Sequence, residues 1–164
     1  MRAAALIRIR SAERPDDPWR RDLLERFWGS TRVVTRGRLH DAAALPALVA
    51  TLGPDRVGLV TYRFADEECE IVTLNSTREG RGVGSKLLRS LRDLARTGGC
   101  RRLWLITTND NTRALGFYQK RGFVIAAVYP GAIARSRELK PEIPATGSGG
   151  IPIRDEIELE VSLA

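Results

Sequence analysis

Apolar and polar residues alternate along much of the chain, and where alternation stops a helical period takes over. Residues 5–10 read as a short strand. Pro15-Asp16-Asp17-Pro18 then offers capping carboxylates and a proline for a first helical turn. Trp19, Leu23, Leu24, Phe27 and Trp28 follow at helical spacing, which predicts an amphipathic helix ending near Gly29. Residues 31–38 read as a single strand, whereas 39–53, broken by Pro46, fits neither period. Strands are expected at 56–64 and 68–74, joined as an antiparallel hairpin by the polar turn Ala65-Asp66-Glu67.

Further along, Val83, Leu87, Leu88, Leu91, Leu94 and Ala95 share one helical face. Lys86, Arg89, Arg92, Asp93 and Arg96 lie on the other, and Gly98-Gly99 ends the helix. A strand at 102–107, a helix at 112–121 and a strand at 123–129 come next. The segment 130–153 holds four prolines and the run Gly147-Ser148-Gly149-Gly150, and reads as a long loop with one helical turn around 132–139. A loop of that length inside a domain is usually functional or disordered. Residues 154–163 alternate again, with Ile157, Leu159, Val161 and Leu163 on one face. No repeat or boundary divides the chain, so residues 1–164 are expected to form one mixed α/β domain.

Composition narrows the class. With 164 residues, 43% hydrophobic and 29% charged, the chain suits one globular domain with a real core. No apolar run reaches the roughly 18 residues of a membrane span. Charges at Arg2, Arg8 and Arg10 interrupt any signal-like stretch, so a cytoplasmic, membrane-free protein is expected. Cys69 and Cys100 are too few for a disulfide framework or a four-cysteine metal site, and His40 is the only histidine. Two free thiols and no metal are expected. The net charge is +7, from 27 cations against 20 acids, and 24 of the cations are arginine. Arginine's planar fork suits phosphate and carboxylate, so an anionic ligand fits. The cations are scattered in runs of at most two, which makes a nucleic acid the lesser reading.

Chemistry concentrates between residues 74 and 86. Gly80, Gly82 and Gly84 separate a strand from a helix. Glycines let main-chain N–H groups approach a ligand closely, and a helix start adds unpaired donors and the positive end of the dipole. The place suits a phosphate or pyrophosphate, with Ser85 as a cap and Arg81 as a charge-assisted contact. Serine at position 85 departs from the dinucleotide pattern, and the lack of a glycine directly before Lys86 departs from the NTPase pattern.

A second segment runs Asn111-Thr-Arg-Ala114-Leu-Gly-Phe117-Tyr118-Gln-Lys-Arg-Gly122-Phe123. Together the two segments resemble the GNAT superfamily of acetyl-CoA-dependent N-acetyltransferases. Glu79-x-x-Gly82-x-Gly84 matches the family's phosphate loop, except that Glu79 stands where Gln or Arg is usual. The Asn111–Phe123 segment matches in full. The resemblance implies a mostly antiparallel sheet of six to seven strands, splayed at a cofactor cleft and flanked by about four helices. It implies acetyl-CoA as co-substrate, contacted by Thr73, Leu74, Gly80, Arg81, Gly82, Val83, Gly84, Ser85, Asn111, Ala114 and Tyr118. Glu79 is expected to turn outward, leaving Arg78 or Arg81 to supply the cation.

Transfer from a thioester to an amine needs alignment, an oxyanion donor and an acid for the leaving thiolate. By resemblance the acid is Tyr118 and the donor is Leu74 N–H, although spacing alone makes Tyr118 a core residue. Glu70 is the first candidate base, followed by Asp155 and Glu156, which could instead attract a cationic amine. His40 reads as a surface or capping residue. Trp19, Phe27, Trp28 and Tyr129 are possible walls of an acceptor pocket, and Arg135, Arg137 and Lys140 could meet an acceptor carboxylate. A small-molecule amine is the expected acceptor, with a monomer or homodimer as the assembly. A protein or aminoacyl-tRNA amine, or an acyl-CoA-binding module without catalysis, are the alternatives.

Overall fold

A computed structural model of the protein describes residues 5–164. Its frame is a seven-stranded sheet in the order β1-β4-β5-β6-β7-β9-β8. The strands are β1 (Ile7–Ser11), β4 (Ala47–Leu52), β5 (Asp55–Ala65), β6 (Glu68–Ser76), β7 (Arg102–Thr108), β8 (Val124–Tyr129) and β9 (Glu156–Ser162). Every neighbouring pair is antiparallel except β6 and β7. The helices are α1 (Asp17–Trp28), α2 (Val83–Thr97), α3 (Thr112–Gln119) and α4 (Ala132–Leu139).

One expectation changes. Residues 31–38 are not one strand: β2 (Arg32–Thr35) turns back into β3 (Arg38–Asp41), a separate two-stranded ribbon. Arg36 and Gly37 both have positive φ, 51° and 70°, the mirror-image turn that matches strand twist. Asp66 and Glu67 make the same kind of turn between β5 and β6, at 52° and 60°. The segment 39–53 contains the end of β3 and all of β4.

Two apolar layers sandwich the sheet. Val83, Leu87, Leu88 and Leu91 of α2 pack with Cys69, Ile71, Leu103, Leu105 and Leu159. On the other face Leu23 and Leu24 of α1 and Val33 of β2 pack with Val49, Leu59 and Val72. Because successive side chains alternate in a strand, Glu70, set between Cys69 and Ile71, faces the α1 side.

The feature that positions the site lies in β6. Pairing with β5 shifts register between Thr61 and Tyr62, which leaves Val72 as an extra residue, a bulge. Bulges bend a strand and sharpen its twist. Parallel pairing with β7 runs only from Glu68–Ile71 against Arg102–Leu105 and stops one residue before the bulge. Beyond it β6 follows β5 to Ser76, while β7 follows β9 to Thr108. The sheet therefore opens into a V.

Candidate active site

A cavity of about 580 Å³ fills this V. Its sides are Ile71–Ser76 of β6 and Leu105–Thr107 of β7, and Phe27 and Trp28 close it from the α1 face. Past Ile71, every second N–H and C=O along β6 points into the gap instead of to a neighbouring strand. Leu74 presents its main chain to this free edge, while the main chain of its neighbour Thr73 pairs with Thr61 of β5. Thr73 also anchors its side chain to Thr61 through a 2.6 Å hydroxyl–hydroxyl hydrogen bond.

The glycine loop forms one end of the cavity. Gly80 and Gly82 have φ of 72° and 76°, a left-handed geometry that side chains resist. Gly84 is tight for another reason: a Cβ there would sit 3.2 Å from Phe117 Cζ. None of the N–H groups from Gly80 to Ser85 donates a hydrogen bond within the described residues, and the first helical bond comes from Lys86 to Gly82 O at 3.0 Å. A row of unpaired donors at a helix start is an anion cradle.

Several sequence-based expectations land elsewhere. Gly82, not Ser85, is the residue before α2, and no side chain caps that helix. Ser85 Oγ instead accepts from Arg121 Nε and Nη2 at 2.9 and 2.7 Å. Arg81 is exposed and does not line the cavity, whereas Arg78 does. Glu79 lines the mouth and pairs in solvent with Arg113 at 2.8 Å. Asn111 caps α3, its Oδ1 accepting from Ala114 N at 3.2 Å.

Arg121 is a residue that sequence reasoning missed. Its guanidinium lies 3.7 Å over the Phe117 ring and donates to Phe117 O at 2.8 Å, tying α3 to the start of α2. A second cavity of about 600 Å³ shares Ser85 and Arg121 with the first. Arg89, Arg92, Arg96 and Lys120 line it, with Asp93 as the only acid. The readable signal was the basic face of α2 and the Lys120-Arg121 pair that follows α3.

Tyr118 borders the first cavity although its side chain is buried among the apolar residues. Phe117 and Phe123 hold its ring edge-on at 5.1 and 5.3 Å. Burial pushes its phenol well above the usual value, with Arg121 opposing. No residue hydrogen-bonds its hydroxyl among the described residues. The phenol is thus a protonated donor with no acceptor among the described residues.

Glu70 is neither a solvated hairpin residue nor part of the cavity lining. It is buried, with Oε1 accepting from Thr35 Oγ1 and Oε2 from Arg63 Nε, both at 2.6 Å. Thr35, having given its proton to Glu70, accepts from His40 Nε2 at 2.7 Å. His40 is accordingly buried, not at the surface, and burial lowers its pKa against the pull of Glu70. Asp155 accepts from Gly131 N at 2.7 Å, at the start of α4. Glu156 is buried and accepts from Arg36 N at 3.0 Å.

The remaining acceptor-side residues divide in the same way. Trp19 packs under α1 in the second apolar layer, and Tyr129 lies beneath the Arg36 guanidinium at 3.4 Å. Lys140 is buried, donating to Trp28 O and Arg32 O at 2.9 and 2.8 Å. Arg137 binds the carbonyls of Pro144 and Ile153 at 2.8 and 2.9 Å. Those two cations brace the frame instead of facing a ligand. Burial holds the Cys69 thiol up at about 12, an inert group.

This geometry has relatives. The model of the acetyltransferase (GNAT) family matches residues 4–123. The chain belongs to that family. As a GNAT protein it is an acyltransferase, with the mixed, mostly antiparallel sheet and flanking helices expected of the fold. It is 39% identical over 137 residues to the uncharacterized protein YdhI of Bacillus subtilis strain 168, covering 83% of this chain and 86% of that one. An IAA acetyltransferase from Bacillus cereus superposes with a TM-score of 0.73 at 23% identity, over 96% of this chain and 99% of the other. An acetyltransferase of Bacillus subtilis in complex with CoA gives 0.71 at 19% identity, over 97% and 100%. At those identities the likeness is one of fold. Among the described residues of this GNAT chain, no helix is long and apolar enough to cross a membrane.

Proposed function

We propose that this protein transfers an acetyl group from acetyl-CoA to a primary amine of a small molecule in the cytoplasm. The observation that carries the reading is the cavity itself: one continuous space with unpaired N–H donors at one end, a free strand edge along its side and a protonated phenol beside it. The likeness to a fold neighbour in complex with CoA supports it.

In this reading the N–H groups of Gly80–Ser85 hold the pyrophosphate, with Arg78 and Arg121 adding charge. Val83 and Ala114 pack beside it, and Arg81 contributes only long-range attraction. The pantetheine arm lies along the free edge of β6, past Thr73 at Leu74, completing main-chain bonds as an added strand would. The basic groove of Arg89, Arg92 and Lys120 takes the 3′-phosphate. Asn111 shapes the approach by fixing the first turn of α3.

The amine enters from the α1 face and attacks the thioester carbon directly. Leu74 N–H donates to the oxygen that gains charge. The C–S bond then breaks as Tyr118 gives its proton to the departing sulfur, and the proton that the attacking nitrogen sheds on becoming an amide returns to the phenolate, leaving a neutral thiol and a neutral phenol. Glu70 contributes fixed negative charge to the acceptor face and not direct contact, since both its oxygens are engaged.

Acetyl-CoA should raise the melting temperature by several degrees at saturating concentration. A panel of small amines should then release free thiol in proportion to acetylated product. No thermal shift with acetyl-CoA overturns the cofactor assignment; a shift without thiol release across the panel favours a binding module.

A further inference from the structure

Among the described residues, two carboxylates, Glu70 and Glu156, lie buried on the acceptor face, and one arginine is ion-paired with them. Glu70 is matched by Arg63 at 2.6 Å. Glu156, only 2% exposed, has no ion pair and a single hydrogen bond, from the main-chain N–H of Arg36 to Oε2. The Arg36 guanidinium sits over the ring of Tyr129, the cross-strand partner of Glu156, and acts on the carboxylate through space without forming an ion pair. Burying a carboxylate without an ion pair is costly, and burial pushes the Glu156 carboxyl up, with the N–H and the charge of Arg36 opposing and the charge on Glu70 adding to it.

Oε1 of Glu156 has no hydrogen-bond partner among the described residues. Yet among the described residues the only sealed, unpartnered side-chain polar atoms are Arg20 Nε and Arg102 Nε. Oε1 is therefore not completely sealed, although Glu156 itself lines neither cavity. Its position also fits a ligand: Glu156 pairs with Thr108 at the open end of β7, next to Ile106 and Thr107 of the cavity wall. It lies on the sheet face where Phe27 and Trp28 close that cavity. Asp155, the neighbouring acid, is already committed to α4.

We infer that Glu156 is the seat of the acceptor's primary ammonium group, binding it through Oε1 on the α1 side of the sheet. The inference rests on the acetyltransferase reading for the word acceptor, but the site itself does not. A primary ammonium supplies the missing ion pair and has donors for Oε1. A quaternary ammonium has the charge and no donor.

The test uses the whole chain and the probes ethylammonium and tetraethylammonium chloride at equal ionic strength. Ethylammonium should raise the melting temperature of the wild type measurably more than tetraethylammonium does. Glu156→Gln should abolish that difference while melting at or above the wild type without probe, because a neutral isostere replaces an unpaired charge. Glu158→Gln, which removes a carboxylate already paired with Arg102 at 2.8 Å, should keep the difference. An ethylammonium response that survives in Glu156→Gln, or that is missing from the wild type, overturns the inference. Acetyl-CoA is run alongside: a wild type that shifts with acetyl-CoA but not with ethylammonium loses only this site, whereas one that shifts with ethylammonium alone keeps it and loses the acetyl-CoA reading.

Discussion

The regions proposed for the cofactor and for the acceptor are built from different materials. The cofactor side is mostly main chain: N–H groups of six consecutive residues, the free edge of one strand, and glycines that keep Cβ atoms out of the way. The acceptor side is built on side-chain carboxylates met by distant segments, with the Thr35 hydroxyl reaching Glu70 across 35 residues and the Arg36 main-chain N–H reaching Glu156 across 120. A main-chain site tolerates many sequences provided the spacing holds. A side-chain site changes its ligand with one substitution. The family match covers residues 4–123 and stops before β9, where Glu156 sits.

That contrast can be broken by experiment. Tyr118→Phe carries the largest expected effect, a loss in kcat of about 100-fold or more, the usual worth of a general acid. Acetyl-CoA affinity should stay within about twofold, since the ring packing survives. Because burial raises this phenol, the wild-type rate should show no alkaline limb from it below about pH 10, the ordinary tyrosine value. A limb near neutrality that disappears in Tyr118→Phe would move the acid's role to a different state of that group.

Gly84→Leu comes next. The side chain must displace Phe117 from a 3.2 Å approach and cover the unpaired N–H groups. Acetyl-CoA binding by calorimetry should weaken about 30- to 100-fold, or roughly 2–3 kcal/mol. Arg89→Ala tests the basic groove: acetyl-CoA should bind about tenfold more weakly, a charge-assisted contact of about 1.4 kcal/mol. Dephospho-CoA should be unaffected, and an equal loss for both ligands would remove the 3′-phosphate from that groove. The smallest effect belongs to Glu79→Gln, which exchanges a solvent-exposed partner of Arg113. Less than about a twofold change is expected, because exposed pairs are worth little. A larger gain in affinity would mean that Glu79 competes with the pyrophosphate for Arg113.

How far these sites could be read from the chain follows the same division. The hairpin 56–74, the amphipathic α2 and the glycine loop announce themselves because each depends on neighbours in sequence. The β2–β3 ribbon was readable only from Arg36-Gly37, a turn pair hidden in what looks like one strand. The opening of the sheet was available by resemblance, but its cause was not: a bulge at Val72 leaves no mark in an alternating strand, since it is a matter of register with β5. His40 illustrates the third kind of miss. Polar neighbours made it look exposed, and only folding brings Thr35 and Glu70 around it.

The segment 137–155 has a consequence of its own. Rich in proline and glycine, it resembles a linker, yet it is lashed down at many points. Asn109 accepts from Arg154 N and Asp155 N at 2.9 and 3.0 Å, and Asp110 accepts from Ser148 N at 3.1 Å. Ile153 N reaches Ala145 O at 3.0 Å. A protease meeting this stretch would find no slack to draw into its groove. Cleavage after Arg137 or Arg154 should therefore wait for a cooperative opening event, and the amides of Ser148, Ile153 and Asp155 should exchange as slowly as strand amides while looking, in composition, like the most expendable part of the chain.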